Sequence, residues 1–481
     1  MKLAFHFVKN TAFKLHSNIA LRRHTLTKEF NYDVVIVGLG PAGASLAYFL
    51  RKSGLKVAGV EMNGTEGVWG KPCGDAIGKH HFDETGLPYP SGDALKQKIE
   101  GIDIISPYGG VKLRVNGEGL MIDRNKYGLF LINESAKAGI DVYLKTRVLS
   151  PKLESGKLVG VRAKNEAGDD LLFRGKIIVD ATGNSGLLRR QLPQSWPANE
   201  PLDPKDSNIA YREIRELNYD IDEPTYLRIY VNQEVSPGGY WWYFPEGRSS
   251  ANIGLGVQGG MGYPAPNVIF KQRLETFDEV RNYTKVINAA GSKVPTRRQA
   301  NTLVWDNFIG IGDNGYNVNP VHGGGMGYAF VAAFHAYRTI INAFSANDFS
   351  AKALWDLNIN YIKSIGKRQA SLDIFRIFLQ RLSNDDIEYG LKHGIMNADQ
   401  VYETSVSGEL KANLGLLDKV SVVLHMLGRP SLLPKLATVA TYMKRVQQLY
   451  DAYPTSPEGL GVWVSSVKAL YSEYKAKIGA D

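Results

Sequence analysis

Cysteine is almost absent from this chain of 481 residues, which contains Cys73 alone. A single thiol excludes an intrachain disulfide framework, and no spacing of histidines, cysteines and carboxylates is typical of a metal site. Long apolar runs are missing too. The most apolar late segment, residues 420–440, is interrupted by charged residues and prolines, so no window predicts a membrane span.

Acidic residues are scarce at the start of the chain, where residues 1–30 contain six lysines and arginines and one glutamate. This segment also lacks the apolar stretch and cleavage site of a secretory signal. We interpret residues 1–30 as a basic, disordered extension. The rest of the chain is mildly basic without a run of cations and aromatics, which argues against a nucleic-acid partner. We expect a cytoplasmic protein, with peripheral contact at a membrane surface left open.

A glycine-rich motif lies close to Asn31, the residue at which the folded chain is predicted to begin. A short apolar run, Val34 to Val37, is followed by G-x-G-x-x-G, a helix pattern and a second strand that ends at an acid. Such a turn lets a pyrophosphate approach the backbone and the helix N-terminus, and the acid accepts ribose hydroxyls. The residues predicted to bind a dinucleotide are Gly38, Gly40, Pro41, Ala42, Gly43 and Glu61.

Two later segments indicate which dinucleotide is bound. Residues 176–186 form a strand pattern that ends in Ala-Thr-Gly, and residues 307–327 form another that ends in Gly-Asp before a glycine-rich loop. An apolar helix is predicted over 328–344. This set resembles the FAD flavoproteins of the p-hydroxybenzoate hydroxylase type. The resemblance implies that Asp313 binds the ribityl chain and that residues 320–325 place a helix N-terminus under the flavin.

Aromatic residues are concentrated between Pro237 and Gly256, where residues 240–244 read YWWYF. In a strand, alternate rings point to opposite faces, so both faces are predicted to be covered. Gly254 and Gly256 stand on the following strand and remove side chains beside the rings. We infer a cavity for a long apolar molecule, and ordinary core packing is the alternative.

Three motifs carry a more specific resemblance. Residues 237–245 fit P-x-x-Y-x-W-x-F-P, residues 71–76 read KPCGDA, and residues 319–325 read NPVHGGG. From residue 31 onwards the chain resembles the geranylgeranyl reductase family, and its archaeal members most strongly. The resemblance implies an FAD-dependent reductase. Its substrate would be the isoprenoid double bonds of archaeal ether-lipid precursors (digeranylgeranylglycerophospholipid), geranylgeranyl diphosphate, or both.

The resemblance assigns further residues. The cofactor would contact Pro72, Cys73, Gly74, Asp75, Arg124, Val148, Gly312, Asp313, Gly324 and Gly325. For Arg124 the alternative is a surface charge, and for Val148 it is core packing. The substrate would contact Tyr240, Trp242, Phe244, Gly254, Gly256 and Gln369.

An unactivated alkene accepts hydride poorly unless it is protonated first or in concert, and aromatic faces stabilise the resulting cation. The catalytic candidates are therefore Tyr240 and Trp242, with Cys73, His81 and His322 as possible proton carriers. A phosphate head would need cations, for which Lys363, Lys367 and Arg368 are candidates. A solvated helix face is the alternative for these charges.

We predict an α/β fold. A Rossmann-like FAD-binding domain of the p-hydroxybenzoate hydroxylase/glutathione reductase type carries an inserted antiparallel β-sheet substrate domain and a C-terminal helical region. The predicted ranges are 31–95, 120–202 and 294–347 for the FAD domain, 96–119 and 203–293 for the substrate sheet, and 348–481 for the helical region.

Two other functions fit the same sequence. An FAD-dependent aromatic monooxygenase or halogenase shares the fold, although halogenases have W-x-W-x-I-P where this chain has Tyr240 and Phe244. A non-catalytic isoprenoid-binding flavoprotein is the other alternative. No second dinucleotide motif is present, so the electron donor stays open between a ferredoxin-like protein and a reduced nicotinamide.

Overall fold

The computed structural model describes residues 27–395, 397–407, 429 and 432–480. In these residues the strands are β1 (Lys28–Val37), β2 (Val57–Val60), β3 (Ala76–Gly78), β4 (Leu95–Ile105), β5 (Lys112–Ile122), β6 (Asp141–Tyr143), β7 (Thr146–Glu154), β8 (Lys157–Asn165), β9 (Asp170–Asp180), β10 (Ser207–Leu217), β11 (Tyr226–Tyr230), β12 (Tyr240–Pro245), β13 (Ser250–Gln258), β14 (Tyr283–Pro295), β15 (Val304–Trp305) and β16 (Phe308–Gly310). The α-helices are α1 (Pro41–Leu50), α2 (His80–Thr85), α3 (Arg124–Lys137), α4 (Pro266–Arg273), α5 (Asp278–Arg281), α6 (Met326–Ala346), α7 (Ala351–Leu354), α8 (Asp356–Tyr361), α9 (Lys367–Leu379), α10 (Asn384–Lys392), α11 (Ala398–Ser407), α12 (Leu432–Asp451) and α13 (Leu460–Ile478).

The first sheet has a parallel centre in the order β16-β9-β1-β2-β6, with β15 antiparallel at one edge and β7–β8 joined to β9. Its middle strand is buried on both faces. Val34 and Ile36 pack into one core, whereas Val35 and Val37 pack into another. Two covered faces require a continuous apolar strand, which is why this strand shows no alternation of polar residues.

The second sheet has the order β14-β10-β13-β12-β11-β4-β5-β3 and is antiparallel except for the pair β11–β4. Its aromatic strand divides its rings between two cores. Trp241 and Tyr243 pack on the side of α4 and α5, whereas Trp242 and Phe244 pack on the opposite face beside the half-buried Tyr240. The predicted alternation of the rings is therefore confirmed.

Helices cover the first sheet and fill the end of the chain. Helix α6 packs on α1 and α8, and α12 packs on α9 and α13. From residue 348 onwards the described residues are helical apart from turns, as predicted. Residues 408–428 of the predicted helical region lie outside the described residues. In the part of the chain that is described, no helix combines the length and apolarity needed to cross a membrane.

Two predicted boundaries are wrong. The first strand begins at Lys28 and pairs with Leu171, so the extension ends earlier than residue 30; residues 1–26 lie outside the described residues. The KPCGDA segment leads into β3, which pairs with β5 in the second sheet and not with the flavin domain. The error at β3 arose because a three-residue strand has too few positions to show a period.

Candidate functional site

The first glycine-rich turn has the shape that a dinucleotide requires. Gly38 has φ +90°, and a side chain there would lie 2.6 Å from the carbonyl oxygen of Ala181. At Gly43 a side chain would overlap the Gly38 carbonyl. Gly40 is different, because nothing lies within 4 Å of where its Cβ would stand. Two glycines therefore close the turn, and the middle one leaves the backbone open to a phosphate group.

Glu61 is fixed at the end of β2 by backbone amides. Its Oε2 accepts from the Leu39 amide at 2.9 Å, and its Oε1 accepts from the amide and side chain of Asn63 at 2.9 Å. A carboxylate offers about four acceptor sites, so the Oε2 atom keeps capacity for a ribose hydroxyl. The position and orientation of Glu61 fit the predicted role.

The Gly-Asp motif meets the first turn at the carboxyl ends of β1 and β16. A side chain at Gly312 would lie 2.9 Å from Ala42 Cβ, and one at Gly325 would lie 3.2 Å from Asp313 Oδ1. Asp313 forms an ion pair with Lys71 of the KPCGDA segment. Three segments that are far apart in sequence thus converge on one edge of the sheet.

Arg124 begins α3 and is 9% exposed. Its guanidinium donates to the backbone carbonyl of Lys71 and lies 3.9 Å from Asp75 Oδ1. A solvated surface charge is excluded by this burial. Because the guanidinium holds the KPCGDA backbone, Arg124 shapes the loop whether or not it also contacts a cofactor.

Asn252, on β13, connects the KPCGDA loop to the aromatic strand, a role that no sequence motif indicates. It is fully buried and accepts from Trp242 Nε1 at 3.0 Å. Its amide donates to the Cys73 carbonyl at 2.8 Å and to Asp75 Oδ2 at 3.2 Å. We call the rings of Tyr240, Trp242 and Phe244 on one face of β12 the ring wall. The Asn252 side chain therefore sets the distance between the ring wall and the KPCGDA loop.

Asp75 has a more specific environment than sequence reasoning assigned to it. Its φ of +61° is unusual for a residue with a side chain, so tertiary contacts hold it there. Burial raises the pKa of the Asp75 carboxyl, and the nearby positive charges of Arg124 and Arg212 oppose that effect. A buried carboxyl with a raised pKa can hold a proton beside the loop.

The ring wall faces open space at one of its two glycines. Tyr240 is paired with Gly256 and Trp242 with Gly254. A side chain at Gly256 would have only Asn208 Nδ2 nearby, at 3.8 Å. At Gly254 it would overlap the Trp242 ring and lie 2.6 Å from the Tyr211 carbonyl. The prediction that both glycines open a cavity is thus wrong for Gly254, which accommodates the indole.

Tyr240 links the wall to the second glycine-rich loop, because its hydroxyl donates to the His322 carbonyl at 2.6 Å. Burial raises the pKa of the Tyr240 phenol, and the neighbouring Cys73 thiol adds to the increase. Phe244 lies on the other side, with its ring 2.7 Å from where a Cβ of Gly74 would stand. The predicted substrate wall and the predicted cofactor loops are therefore in contact.

His81 does not line this space. It is 9% exposed, and its ring fills the place of a side chain at Gly327 in the first turn of α6. Burial keeps the pKa of His81 well below its usual value, with His80 and Arg368 contributing to the decrease. A neutral, enclosed imidazole is a poor acid, so the prediction of a catalytic His81 is wrong. For His322, burial lowers the pKa to about 4.

The lowered pKa of His81 predicts how stability changes with pH. The unfolded chain takes up a proton below a pKa of about 6.5, whereas the folded protein resists it. Stability is therefore greatest above that pH and falls as the pH is lowered. Urea unfolding between pH 7.5 and 5.0 should show this slope. It should be shallower in His81→Asn, and equal slopes in the two proteins would contradict the assignment.

Three other predicted site residues serve the fold. Gln369 is completely buried; its amide donates to the carbonyls of Arg297 and Tyr316 and accepts from Tyr361. The prediction that Gln369 binds substrate is wrong, because its donors are already used. Val148 packs in the core beside β8, which gives no support to an adenine contact. Lys367 forms a 2.8 Å ion pair with Asp451.

These observations define a class of protein. The open Gly40, the oriented Glu61 and the convergence of the Gly-Asp loop on the first turn fit a flavin dinucleotide, and a second sheet places an aromatic wall against the loops that would hold it. The fold and the site are those of a flavin-dependent oxidoreductase.

Comparison with known proteins narrows this class. A model for the geranylgeranyl reductase catalytic domain matches residues 206–294, and one for pyridine nucleotide-disulphide oxidoreductases matches residues 32–202. A digeranylgeranylglycerophospholipid reductase from Sulfolobus acidocaldarius is 44% identical over 94% of this chain and 100% of its own length. One from Methanothrix thermoacetophila is 28% identical over 81% of this chain and 97% of its own length. The chain belongs to the geranylgeranyl reductase family.

Solved structures agree at the level of the fold. A geranylgeranyl bacteriochlorophyll reductase-like protein from Thermoplasma acidophilum matches with a TM-score of 0.71 and 21% identity, over 85% of this chain and 100% of that one. A flavin-dependent brominase matches with a TM-score of 0.61 and 16% identity, over 83% and 99% of the two chains. The predicted fold class is confirmed.

Proposed function

We propose that this protein is an FAD-dependent reductase that saturates the isoprenoid double bonds of geranylgeranyl chains. The substrate is a digeranylgeranylglycerophospholipid, geranylgeranyl diphosphate, or both. The observation that carries the proposal is the set of rings of Tyr240, Trp242 and Phe244, which faces open space at Gly256 and touches the loops of the flavin site. The relative from Sulfolobus acidocaldarius supports the same substrate class.

The residues of the wall suit an electron-poor transition state. Bound FAD supplies the hydride that completes the reduction. The side chains must align the alkene, exclude water and tolerate positive charge at the tertiary carbon. Ring faces contribute about 0.5–2 kcal/mol each to a nearby cation and cannot be alkylated as readily as a carboxylate. Ring centroids about 6.1 Å apart along Tyr240, Trp242 and Phe244 form a continuous apolar surface for the chain.

Proton delivery falls to the groups beside Asn252. We assign it to Asp75, whose raised pKa keeps a proton on the buried carboxyl until it is transferred to the alkene in concert with hydride addition. The Cys73 thiol lies in the same loop, is half-buried, and neighbours the Tyr240 phenol. The proton passes to the alkene carbon that does not receive hydride.

The charged head of the substrate needs a cation at the entrance. Arg368 is half-buried at the start of α9, and its positive charge contributes to the lowered pKa of both His80 and His322. Its guanidinium thus lies within electrostatic range of the NPVHGGG loop. We assign the phosphate or diphosphate head to Arg368, because it lies within electrostatic range of this loop, in preference to Lys363 and Lys367.

Product analysis tests the proposal. The FAD-loaded protein is reduced with dithionite under anaerobic conditions and incubated with geranylgeranyl diphosphate or with the digeranylgeranyl lipid. Mass spectrometry should show one added pair of hydrogen atoms for each saturated double bond. Dithionite replaces a physiological donor, for which a ferredoxin-like protein and a reduced nicotinamide are the two expectations.

The same assay separates the alternatives. Substrate recovered unsaturated, yet bound to a protein that retains FAD, would identify an isoprenoid carrier. Oxygen consumption that depends on an aromatic substrate would identify a monooxygenase or halogenase. Either result would overturn the reductase proposal.

A further inference from the structure

A second cleft lies outside the flavin site, between α13 and the segment that follows β14. It measures about 320 Å³ and is bordered by α9 as well. Its lining residues are Asp206, Arg297, Arg298, Asp373, Ile377, Val467, Lys468, Tyr471, Ser472 and Lys475. Four of these side chains are cationic and two are anionic, so the lining carries a net positive charge.

The two acidic residues of the cleft, Asp206 and Asp373, both form ion pairs with Arg376. Arg376 donates to Asp373 through Nε at 2.9 Å and through Nη2 at 2.8 Å, and the same Nη2 lies 3.0 Å from Asp206 Oδ1. A guanidinium shared between two carboxylates neutralises much of their charge. The attraction that remains in the cleft therefore comes from its own cations.

Arg298 pairs with Glu200 and donates to Asn301, but the other three cations are incompletely satisfied. Arg297 is 93% buried; its Nη2 pairs with Glu200 at 2.8 Å, but its Nε has no hydrogen-bond partner among the described residues. In the same part of the chain neither Lys468 nor Lys475 has a carboxylate within ion-pair distance. Burying a guanidinium with an unpaired donor is unfavourable, and a ligand that accepts a hydrogen bond from it would remove that cost.

The geometry favours a tetrahedral anion. Lys468 and Lys475 are seven residues apart and therefore on one face of α13, with Tyr471 and Ser472 between them. The buried arginines lie on the opposite side of the cleft, and Arg298 is 5.7 Å above the Tyr471 ring. Planar guanidinium groups opposite flexible ammonium groups, with the Ser472 hydroxyl between the two lysines, match the oxygens of a phosphate group.

The cleft also borders the flavin loop. The Arg297 guanidinium lies 5.0 Å from the ring of Tyr316, which is three residues after Asp313. The side-chain amide of Gln369 donates to the backbone carbonyls of both Arg297 and Tyr316. An anion that fixes Arg297 would therefore stabilise the loop that carries Asp313.

We propose that this cleft, formed by Arg297, Arg298, Lys468 and Lys475, is a second anion-binding site, besides the dinucleotide turn, and that it binds a phosphate group. Its ligand is either a lipid phosphate head or a small free phosphate, since both present the same oxygens. The site is separate from the flavin site and does not depend on the reduction reaction.

Calorimetry on the FAD-loaded protein tests this inference, because the flavin then occupies its own phosphate-binding turn. Inorganic phosphate and glycerol 1-phosphate are titrated at low ionic strength. The variant is Lys468→Ala with Lys475→Ala, two solvent-accessible lysines whose loss should not impair folding. The control is Lys444→Ala with Lys477→Ala, which removes the same charge from α12 and α13 outside the cleft.

We expect both probes to bind the wild type and the control, and the affinity of the cleft variant to fall at least about tenfold. Glycerol 1-phosphate binding tighter than phosphate would identify a lipid head as the ligand, which flotation with phosphatidic acid vesicles should confirm. Equal affinities would identify a free anion. Absence of binding, or equal weakening in both variants, would overturn the proposal.

Discussion

The Gly256→Val variant is expected to fold, to bind FAD as the wild type does, and to lose saturation of the isoprenoid chain. Valine suits a strand, and its Cβ would meet only Asn208 Nδ2, at 3.8 Å. Replacing glycine also lowers the entropy of the unfolded chain, so the melting temperature should stay level or rise. The two methyl groups would nevertheless occupy the space beside Tyr240 that we assign to the substrate.

The expected loss in kcat/KM is about 10²-fold or more, because a displacement of about 1 Å of the reacting carbon is enough to have that effect. Turnover is measured by mass spectrometry with dithionite as reductant, and FAD content is measured from the absorbance of the purified protein.

Gly254→Val is the matched comparison on the same strand. Its side chain would overlap Trp242 and the Tyr211 carbonyl, so this variant should be destabilised by about 1–3 kcal/mol or more. Normal turnover in a well-folded Gly256→Val protein would show that the substrate does not use this space. A stable Gly254→Val protein would show that the contact with the indole is looser than described.

Sequence predicted the parts of the site that depend on local backbone geometry. Gly38 and Gly43 are required by a turn that no other residue can form, and such turns have a fixed spacing. The division of Trp241 and Trp242 between opposite faces follows from the period of a strand. These features are visible without knowledge of what surrounds them.

The remaining features depend on tertiary neighbours. Gly254 and Gly256 look alike in sequence, and only the position of the Trp242 ring decides which one leaves space. His81 and Gln369 have polar side chains that suit catalysis or binding, yet both are packed among residues distant in sequence. Asn252 gave no signal, because an isolated asparagine in a strand belongs to no recognisable motif.

The effect of removing Asn252 should be nearly as large as that of blocking the cavity, but on stability and FAD retention as well as on turnover. In Asn252→Ala, Trp242 Nε1 loses its acceptor and the Cys73 carbonyl loses its donor, both in a buried site. Each unsatisfied group costs about 1–3 kcal/mol, so the two together should lower the free energy of unfolding by about 2–6 kcal/mol. The KPCGDA loop would also lose its position relative to the rings.

Denaturant unfolding, FAD affinity and turnover of the FAD-loaded fraction should all decline in Asn252→Ala. Asn116→Ala provides the control, since Asn116 is exposed on β5 of the same sheet. Reduced stability with normal turnover per bound FAD would restrict Asn252 to a structural role.

Asn252→Asp separates the two hydrogen bonds. Its carboxylate can still accept from Trp242, but it cannot donate to the Cys73 carbonyl, and it would stand beside Asp75. Protonation restores a donor and removes the repulsion between the two carboxyls. Turnover of Asn252→Asp relative to wild type should therefore recover as the pH is lowered, whereas that of Asn252→Ala should not. A ratio independent of pH would show that the donor to Cys73 has no part in holding the loop.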